Sequence, residues 1–308
     1  MTGFLSSTAP VCPPELIERA RAKGPARVAI ARAGAPLPMA AAHQATEAGV
    51  MQPIFVGEAD AIRAEADALG WDISGFRLVE AEGEADAGDK AARLTGAGEA
   101  DALMKGHLHT DVFMKAALNK EAGLRTGERL VHIFHISPPD GGRAIMVCDA
   151  ALNVAPDMTT RQAGVRAVAA LGAALGLERP KIAVLSATET PIPSMPSSEE
   201  ARELADWAKD EGIAADVSGP LALDLILSPE AVAVKGMQDD PVAGRADAVM
   251  VPDIVSGNAL FKALVYLGGG CAGGVVVGAK APILLTSRAD PPAARLASAA
   301  LAALLKDG

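Results

Sequence analysis

The sequence predicts a doubly wound α/β protein. Short apolar segments alternate along the chain with longer segments of helical period, the order of elements expected for a sheet covered by helices. Many of the short segments are continuously apolar, which is typical of strands buried on both faces. Aromatic residues make up only 3% of the chain, so the predicted cores consist of Ala, Val, Leu and Ile.

Each element follows from its pattern in turn. The predicted strands are 27–32, 52–57, 76–81, 102–106, 129–137, 143–150, 181–187, 246–253, 273–279 and 281–287. The predicted helices, with apolar residues three or four positions apart, are 14–23, 58–70, 111–123, 159–176, 197–212, 257–269 and 293–306. Asp60 is expected in a first helical turn, and Ser197-Ser198 and Asp290 as caps. A Pro-Pro-Asp-Gly-Gly turn at 138–142 predicts a domain boundary near 138.

Composition narrows the possible functions. The chain has 308 residues and a formal net charge of -10, which argues against general binding of nucleic acid or anionic membranes. Its three cysteines are far apart and form no CxxC or Cys/His ligand spacing, so no metal site is predicted. The N-terminal residues resemble no secretory signal, and no apolar run reaches the ~18 residues of a membrane span. We expect a cytoplasmic protein.

The segment LMKGHLHTDVFMKAAL, 103–118, runs from a predicted strand into a helix. Lys105, His109, Thr110 and Lys115 could donate to phosphate or carbonyl oxygens beside the helix amides. The alternative is a polar loop in which Asp111 caps the helix. A metal site is disfavoured because the two histidines of this loop have no third ligand nearby.

The segment ILLTSRADPP, 283–292, has the same strand-to-helix order. Ser287 and Arg288 fall at the carboxyl edge of the predicted sheet, where open α/β sheets bind ligands, and arginine can hold a phosphate with two hydrogen bonds. The alternative is an ordinary helix start with Asp290 as its cap and Arg288 on the surface. Arg125, near a glycine turn, is either a further anion ligand or part of a solvated loop.

Other strand ends also lead into polar residues. Asp149 lies at the end of one predicted strand, Ser186 and Thr188 lie at the end of another, and Asn258 follows a third. GGGCAGG, 268–274, comes after a helix and before a strand, the wrong order for a phosphate-binding loop, so we interpret it as a turn. The whole set favours catalysis by positioning and electrostatics on a phosphorylated or carbonyl substrate.

Seven segments together resemble the phosphate acetyltransferase/phosphate butyryltransferase family, most closely its butyryltransferase-like branch. In chain order they are MKGHLHTD, DAALNVAPD, LSATET with MPSSEEA, GPLALDLILSPEA, DDPVAG, VPDIVSGNALFKAL and PILLTSRAD. The resemblance extends from about residue 25 to the end, and the joint order is more specific than any one segment.

The resemblance implies two α/β/α domains like those of isocitrate/isopropylmalate dehydrogenases, with the active site in the interdomain cleft. The expected domains are 1–138 plus 278–308, and 139–277. The implied reaction is the reversible conversion of acyl-CoA and phosphate into acyl phosphate and CoA. Coenzyme A would be a substrate, no cofactor would be tightly bound, and the protein would form a homodimer with no nucleic-acid or membrane partner.

The resemblance also implies roles for particular residues. Arg288 would contact the acyl-phosphate carbonyl and phosphate, and Ser287 the thiol or the developing oxyanion. Thr110 matches a phosphate-contacting hydroxyl, and Lys115 stands where acetyltransferases carry an arginine associated with the CoA phosphates. The family's proposed catalytic aspartate aligns with Ala294, which leaves Asp290, and less favourably Asp149 or His109, as the general base.

Two other functions fit parts of the sequence. A metal- and NAD-dependent dehydrogenase relative would share the fold, although the chain shows no clear set of metal ligands. A non-catalytic protein that binds CoA or acyl phosphate would account for the missing aspartate.

Overall fold

The computed structural model describes residues 3–287 and 289–307, and their contacts divide the chain into two compact units. The first unit comprises Pro10–Glu128 and the chain from Cys271 onward, and the second comprises Arg129–Gly270 and the residues up to Ala9. The first unit is therefore built from two separated parts of the chain.

The N-terminal part of the first unit alternates helices and strands. The elements are α1 (Pro14–Lys23), β1 (Ala26–Ala31), α2 (Pro36–Glu47), β2 (Met51–Gly57), α3 (Ala59–Ala68), β3 (Arg77–Glu80), α4 (Gly83–Gly96), β4 (Ala102–Lys105) and α5 (Thr110–Ala117). The strands are parallel in the order β3-β2-β1-β4. Four consecutive residues of β1, from Val28 to Ala31, are buried, as expected for a strand covered on both faces.

The second unit is a mixed sheet with helices. Its elements are β5 (Val131–Ser137), β6 (Ile145–Cys148), α6 (Met158–Ala174), β7 (Lys181–Leu185), α7 (Pro196–Asp210), β8 (Asp216–Leu221), α8 (Leu223–Leu227), α9 (Pro229–Lys235), β9 (Ala248–Met250) and α10 (Ile254–Lys262), which continues into a π-helical segment, Ala263–Leu267. The strand order is β5-β6-β9-β7-β8, and only the β5–β6 pair is antiparallel.

The chain then returns to the first unit through β10 (Cys271–Val277), β11 (Ile283–Leu284) and α11 (Pro292–Leu305). β11 pairs in parallel with β4, where Ile283 lies opposite Leu103, and antiparallel with β10. Helix α11 packs on β10, and the Ser298 hydroxyl accepts a 2.9 Å hydrogen bond from the Gly274 amide. The last two strands and the last helix thus complete the first unit.

The structure confirms the predicted α/β class and contains a strand that overlaps each predicted strand segment. It adds elements that the sequence pattern did not predict, namely α2, α4, β8, α8 and α9. The unit boundaries fall earlier than the predicted 138 and 278. The reason is that β5 pairs with β6 of the second unit, whereas the whole of β10 packs under α11 of the first.

Three predicted caps are wrong. α7 begins at Pro196, so Ser197 and Ser198 lie inside the helix rather than before it. His109 is the N-cap residue of α5 and Asp111 lies within the helix. Pro291 is the N-cap residue of α11, which leaves the Asp290 carboxylate available for another contact. Within residues 3–287 and 289–307, no helix has both the length and the apolar content needed to cross a bilayer.

Candidate functional site

A cavity of about 250 Å³ lies in the first unit at the carboxyl ends of β4 and β11. The loop into α2 and the first turn of α11 complete its wall. The lining residues are Ala35, Pro36, Leu37, Pro38, Met104, Lys105, Gly106, His107, Thr286, Ser287 and Arg295. The structure thus brings together Lys105 and Ser287, two of the residues that the sequence analysis selected.

The loops around this cavity are held by close backbone contacts. The Gly106 amide donates to the Ala31 carbonyl and the His107 amide to the Arg32 carbonyl, both at 2.9 Å. A Cβ atom on Gly106 would lie 2.6 Å from the Arg32 oxygen, so only glycine fits there. The Thr286 hydroxyl donates to the Lys105 carbonyl at 2.9 Å. The loops after β1, β4 and β11 are therefore fixed against one another.

Two cationic side chains of the cavity are buried. Lys105 and Arg295 are each 8% exposed. Arg295 lies in the first turn of α11, a helix otherwise built of alanine, leucine and serine after its prolines. Buried cations are costly unless the surroundings stabilise their charge. Together they make this end of the cavity favourable for an anion.

The Ser287–Asp290 turn forms one edge of the cavity. The Asp290 carboxylate accepts a 2.6 Å hydrogen bond from the Ser287 amide, and the Ser287 hydroxyl accepts one of 3.2 Å from the Ala289 amide. Burial raises the pKa of Asp290, and the Ser287 amide and the charge of Arg295 oppose that rise. Asp290 therefore anchors the turn instead of capping the helix. The predicted role of Arg288 falls on a residue outside those that the structure describes.

Ala294, the position at which the resemblance implies a catalytic aspartate, is 6% exposed in the first turn of α11. Its methyl group cannot take up a proton. Asp290 is the carboxyl group on the same loop, one residue before the N-cap, and its raised pKa makes it a stronger base than an exposed aspartate.

His109 belongs to a network of charged side chains at the same sheet edge. Its Nδ1 lies 2.9 Å from a Glu84 oxygen, and its amide donates to Glu84 at 3.0 Å. Glu84 also contacts Arg32 at 3.3 Å, and Arg32 contacts Glu58 at the same distance. The amide hydrogen bond from His109 lowers the pKa of Glu84. Arg32 adopts a left-handed backbone conformation (φ 53°), which is rare outside glycine. The network thus fixes the start of α5.

Thr110, Lys115 and Arg125 lie on the surface of the first unit. Thr110 is the first residue of α5, and Lys115 lies in the last turn of this eight-residue helix. Arg125 forms an isolated β-bridge with Ala279. None of the three lines the cavity. Their predicted contacts with substrate phosphates stay predictions.

Asp149 of the second unit is buried, and protein donors surround its carboxylate. It accepts hydrogen bonds from the amides of His132, Ala151 and Leu152 at 2.8–3.0 Å and from the Asn153 side chain at 2.6 Å. These four donors use its oxygens to fold the loop after β6. Asp149 therefore anchors that loop, and because its oxygens already accept four hydrogen bonds it is disfavoured as a general base.

Asn258 and Gly257 bring α10 close to the same loop. The Asn258 side chain donates to the Ala150 carbonyl at 3.3 Å. A Cβ atom on Gly257 would lie 2.9 Å from the Ala150 Cα, so glycine permits this close packing. The predicted substrate contact of Asn258 would compete with the bond to Ala150.

The remaining predicted residues of the second unit make local contacts. The Ser186 hydroxyl is buried and lies 3.4 Å from the Ser197 hydroxyl, and the Thr188 hydroxyl accepts from the Thr190 amide at 3.3 Å. Arg161, which the sequence analysis did not select, donates to the Pro252 carbonyl at 2.7 Å and to Glu200 at 3.0 Å. It links the loop after β9 to α7.

Sequence reasoning missed Leu37, Glu84 and Arg295. A lone cation in an alanine-leucine helix could have identified Arg295. Leu37 and Glu84 carry no comparable pattern, because their positions depend on tertiary contacts. The described residues include no group of three His, Cys, Asp or Glu side chains arranged to hold a metal ion. Burial raises the pKa of Cys12 to about 12 and of Cys271 to about 11, so both thiols are neutral.

Known proteins match this chain over most of its length. The family model described as "Phosphate acetyl/butaryl transferase" matches residues 84–303. The chain is 36% identical over 294 residues to a phosphate butyryltransferase of Clostridium acetobutylicum, covering 94% of this chain and 97% of that protein. It is 39% identical over 290 residues to a phosphate acetyltransferase of Rhizobium meliloti, covering 94% and 92%.

A solved structure of a similar protein has a similar fold. The crystal structure of a branched-chain phosphotransacylase from Enterococcus faecalis V583 superposes with a TM-score of 0.78 at 32% identity, covering 90% of this chain and 97% of that one. The chain belongs to the phosphate acetyl/butyryl transferase family.

Proposed function

We propose that the protein is an acyltransferase that moves a short acyl group, acetyl to butyryl, reversibly between coenzyme A and inorganic phosphate. The observation that supports the proposal is the cavity whose lining includes Ser287 and two buried cations, Lys105 and Arg295. The names of the relatives support the same chemistry. Coenzyme A is then a substrate, and no tightly bound cofactor is needed.

In the direction that forms acyl-CoA, the thiol of coenzyme A loses its proton and its sulfur attacks the acyl carbonyl. The carbonyl oxygen becomes an oxyanion, which collapses and expels phosphate as the carbon–oxygen bond breaks. We assign proton acceptance to Asp290, because burial raises its pKa and so makes it a stronger base than an exposed aspartate. Ser287 hydrogen-bonds the sulfur or the oxyanion, and Lys105 and Arg295 stabilise the phosphate charge. Arg288 is assigned to the carbonyl and phosphate on sequence grounds.

The other assigned residues lie outside the cavity, and their roles are also proposals. His109, Thr110, Lys115 and Arg125 would bind phosphate groups of the substrates, since all four can donate hydrogen bonds. A second set of residues would contact the substrate from strand ends of the second unit: Asp149, Ser186, Thr188 and Asn258. For Asp149 this competes with four protein hydrogen bonds.

The test is release of free thiol from acetyl-, propionyl- and butyryl-CoA, with and without phosphate. We expect phosphate-dependent release with at least one of the three, and a large loss in Ser287→Ala. Ser74→Ala is the control, because Ser74 is also an exposed loop serine but lies outside the cavity. Absence of phosphate-dependent release from all three compounds would exclude the proposed reaction.

The homodimer and the cytoplasmic location are also part of this proposal, and so is the isocitrate/isopropylmalate dehydrogenase-like arrangement. Light scattering on the purified protein should give twice the mass of one 31.2 kDa chain. A mass of one chain at micromolar concentration would contradict the dimer.

A further inference from the structure

The lining of the cavity in the first unit is chemically mixed. It includes cationic and hydroxyl-bearing residues, namely Lys105, Arg295 and Ser287, and apolar ones, namely Leu37, Met104 and the prolines beside Leu37. Both cations keep partners within the protein. A ligand that suits such a lining is a small anion with a short apolar tail.

The size of the cavity limits that ligand. A volume of about 250 Å³ equals about eight water-sized groups at roughly 30 Å³ each. Covalently bonded atoms lie closer together than water molecules, so this volume accommodates a short acyl phosphate, with eight heavy atoms for acetyl and ten for butyryl. Coenzyme A as a whole does not fit, so its pantetheine and nucleotide parts lie elsewhere.

Leu37 is the apolar lining residue whose side-chain size can most easily be changed. It is 43% exposed, whereas Met104 is 2% exposed and packed in β4. Leu37 is the second residue of α2, between Pro36 and Pro38, whose rings fix the backbone on either side. Its direction is therefore set by the fold, and its size can change without disturbing a core.

We propose that this cavity binds the acyl phosphate with its phosphate toward Lys105 and Arg295 and its acyl chain against Leu37 and Met104. The residue at position 37 then sets the preferred chain length. This inference rests on the proposed function and adds to it a substrate orientation and a residue that determines specificity.

The experiment compares Leu37→Phe and Leu37→Ala with the unaltered protein, measuring kcat/KM for acetyl, propionyl, butyryl and valeryl phosphate with coenzyme A. Each buried methylene contributes about four-fold, so loss of two chain positions lowers the butyryl-to-acetyl ratio by roughly 15-fold. We expect Leu37→Phe to lower that ratio by up to this factor. Leu37→Ala should raise the valeryl-to-acetyl ratio by several fold.

Leu69→Phe is the matched control, because Leu69 is 37% exposed at the end of α3 and lies outside the cavity. It should leave every ratio unchanged. If both variants at position 37 keep the original ratios while the unaltered protein is active, the inference is overturned and the proposed function stands. If the unaltered protein transfers no acyl group, the proposed function itself fails.

Arg295→Lys tests the phosphate side separately. It keeps the charge but loses the planar, two-pronged donor, so KM for every acyl phosphate should rise by about ten-fold while the chain-length ratios stay constant. An unchanged KM in a folded Arg295→Lys protein would overturn the proposed orientation of the phosphate.

Discussion

The substitution Gly106→Ala should disturb the fold and the cavity together. The new methyl group would lie 2.6 Å from the Arg32 carbonyl oxygen and closer still to that of Ala31. Both oxygens accept 2.9 Å hydrogen bonds from the loop after β4. Lost hydrogen bonds cost about 1 kcal/mol each and overpacking adds about 1–3 kcal/mol, so we expect destabilisation of roughly 3 kcal/mol. For a unit of this size, that lowers Tm by roughly 6–12 °C.

Thermal unfolding followed by circular dichroism, with thiol-release kinetics at 25 °C, measures both effects. Displacing the loop that follows Lys105 by about 1 Å should lower kcat/KM by roughly 100-fold. Gly75→Ala is the control: no atom lies within 4 Å of its added methyl group, and Gly75, like Gly106, has no left-handed backbone. If the two variants melt within about 1 °C of each other and turn over equally, the close-contact argument is wrong.

Three further predictions concern charge. Asp290→Asn should lower kcat/KM by roughly 10²–10⁴-fold and remove the acidic limb of its pH profile, because the carboxylate base forms only above the raised pKa of Asp290; a retained limb would assign the base elsewhere. Arg161→Met should lower the free energy of unfolding, measured with urea, by about 2–4 kcal/mol, since two carbonyl groups lose a buried donor. Arg166→Met breaks a half-exposed ion pair and a cation–π contact with Trp207 and should cost only about 1 kcal/mol; equal losses would refute this. Burial lowers the pKa of His132 and of His135 to about 4, so as the pH falls the unfolded chain protonates these histidines before the folded protein does. The free energy of unfolding should therefore fall between about pH 6.5 and pH 4, by roughly 3 kcal/mol for each histidine. Replacing both histidines by leucine should flatten that pH dependence.

Elements with a clear pattern of apolar residues in the sequence were predicted, and the structure contains them. β1 and β2 each contain an uninterrupted apolar run, 28–31 and 53–56, and α7 repeats its apolar residues at helical spacing. The missed β8 contains Gly219-Pro220, a pair that interrupts a strand pattern. It lies at the end of the strand order, where a proline without an amide donor is tolerated.

The two missed long helices lack large apolar residues at regular spacing. α4 begins and ends with glycine and is rich in charged residues, and α2 has two prolines in its first turn followed by alanines. Alanine buries little area, so it gives a weak periodic pattern although it favours helix. Both helices are stabilised by tertiary packing, which a local sequence pattern does not reveal.

The candidate site was partly predictable. Strand-to-helix order located Lys105 and Ser287 at one edge of the sheet, and the structure places both around one cavity. The contact of Asp290 with the Ser287 amide could not be predicted, because it depends on Pro291 occupying the N-cap position. Glu84 and Leu37 come from segments far from these residues in the chain, so only the tertiary structure brings them to this edge.

The split first unit constrains the order of folding during synthesis. β4 is made long before its neighbour β11, since Leu103 pairs beside Ile283. Until the ribosome has delivered the last strands and α11, the first unit has an open sheet edge and an unfilled core. Most of the second unit, an uninterrupted stretch of chain, emerges earlier and can pack first. The first unit, and the cavity between β4 and β11, can therefore be completed only after the chain from Cys271 onward has been made.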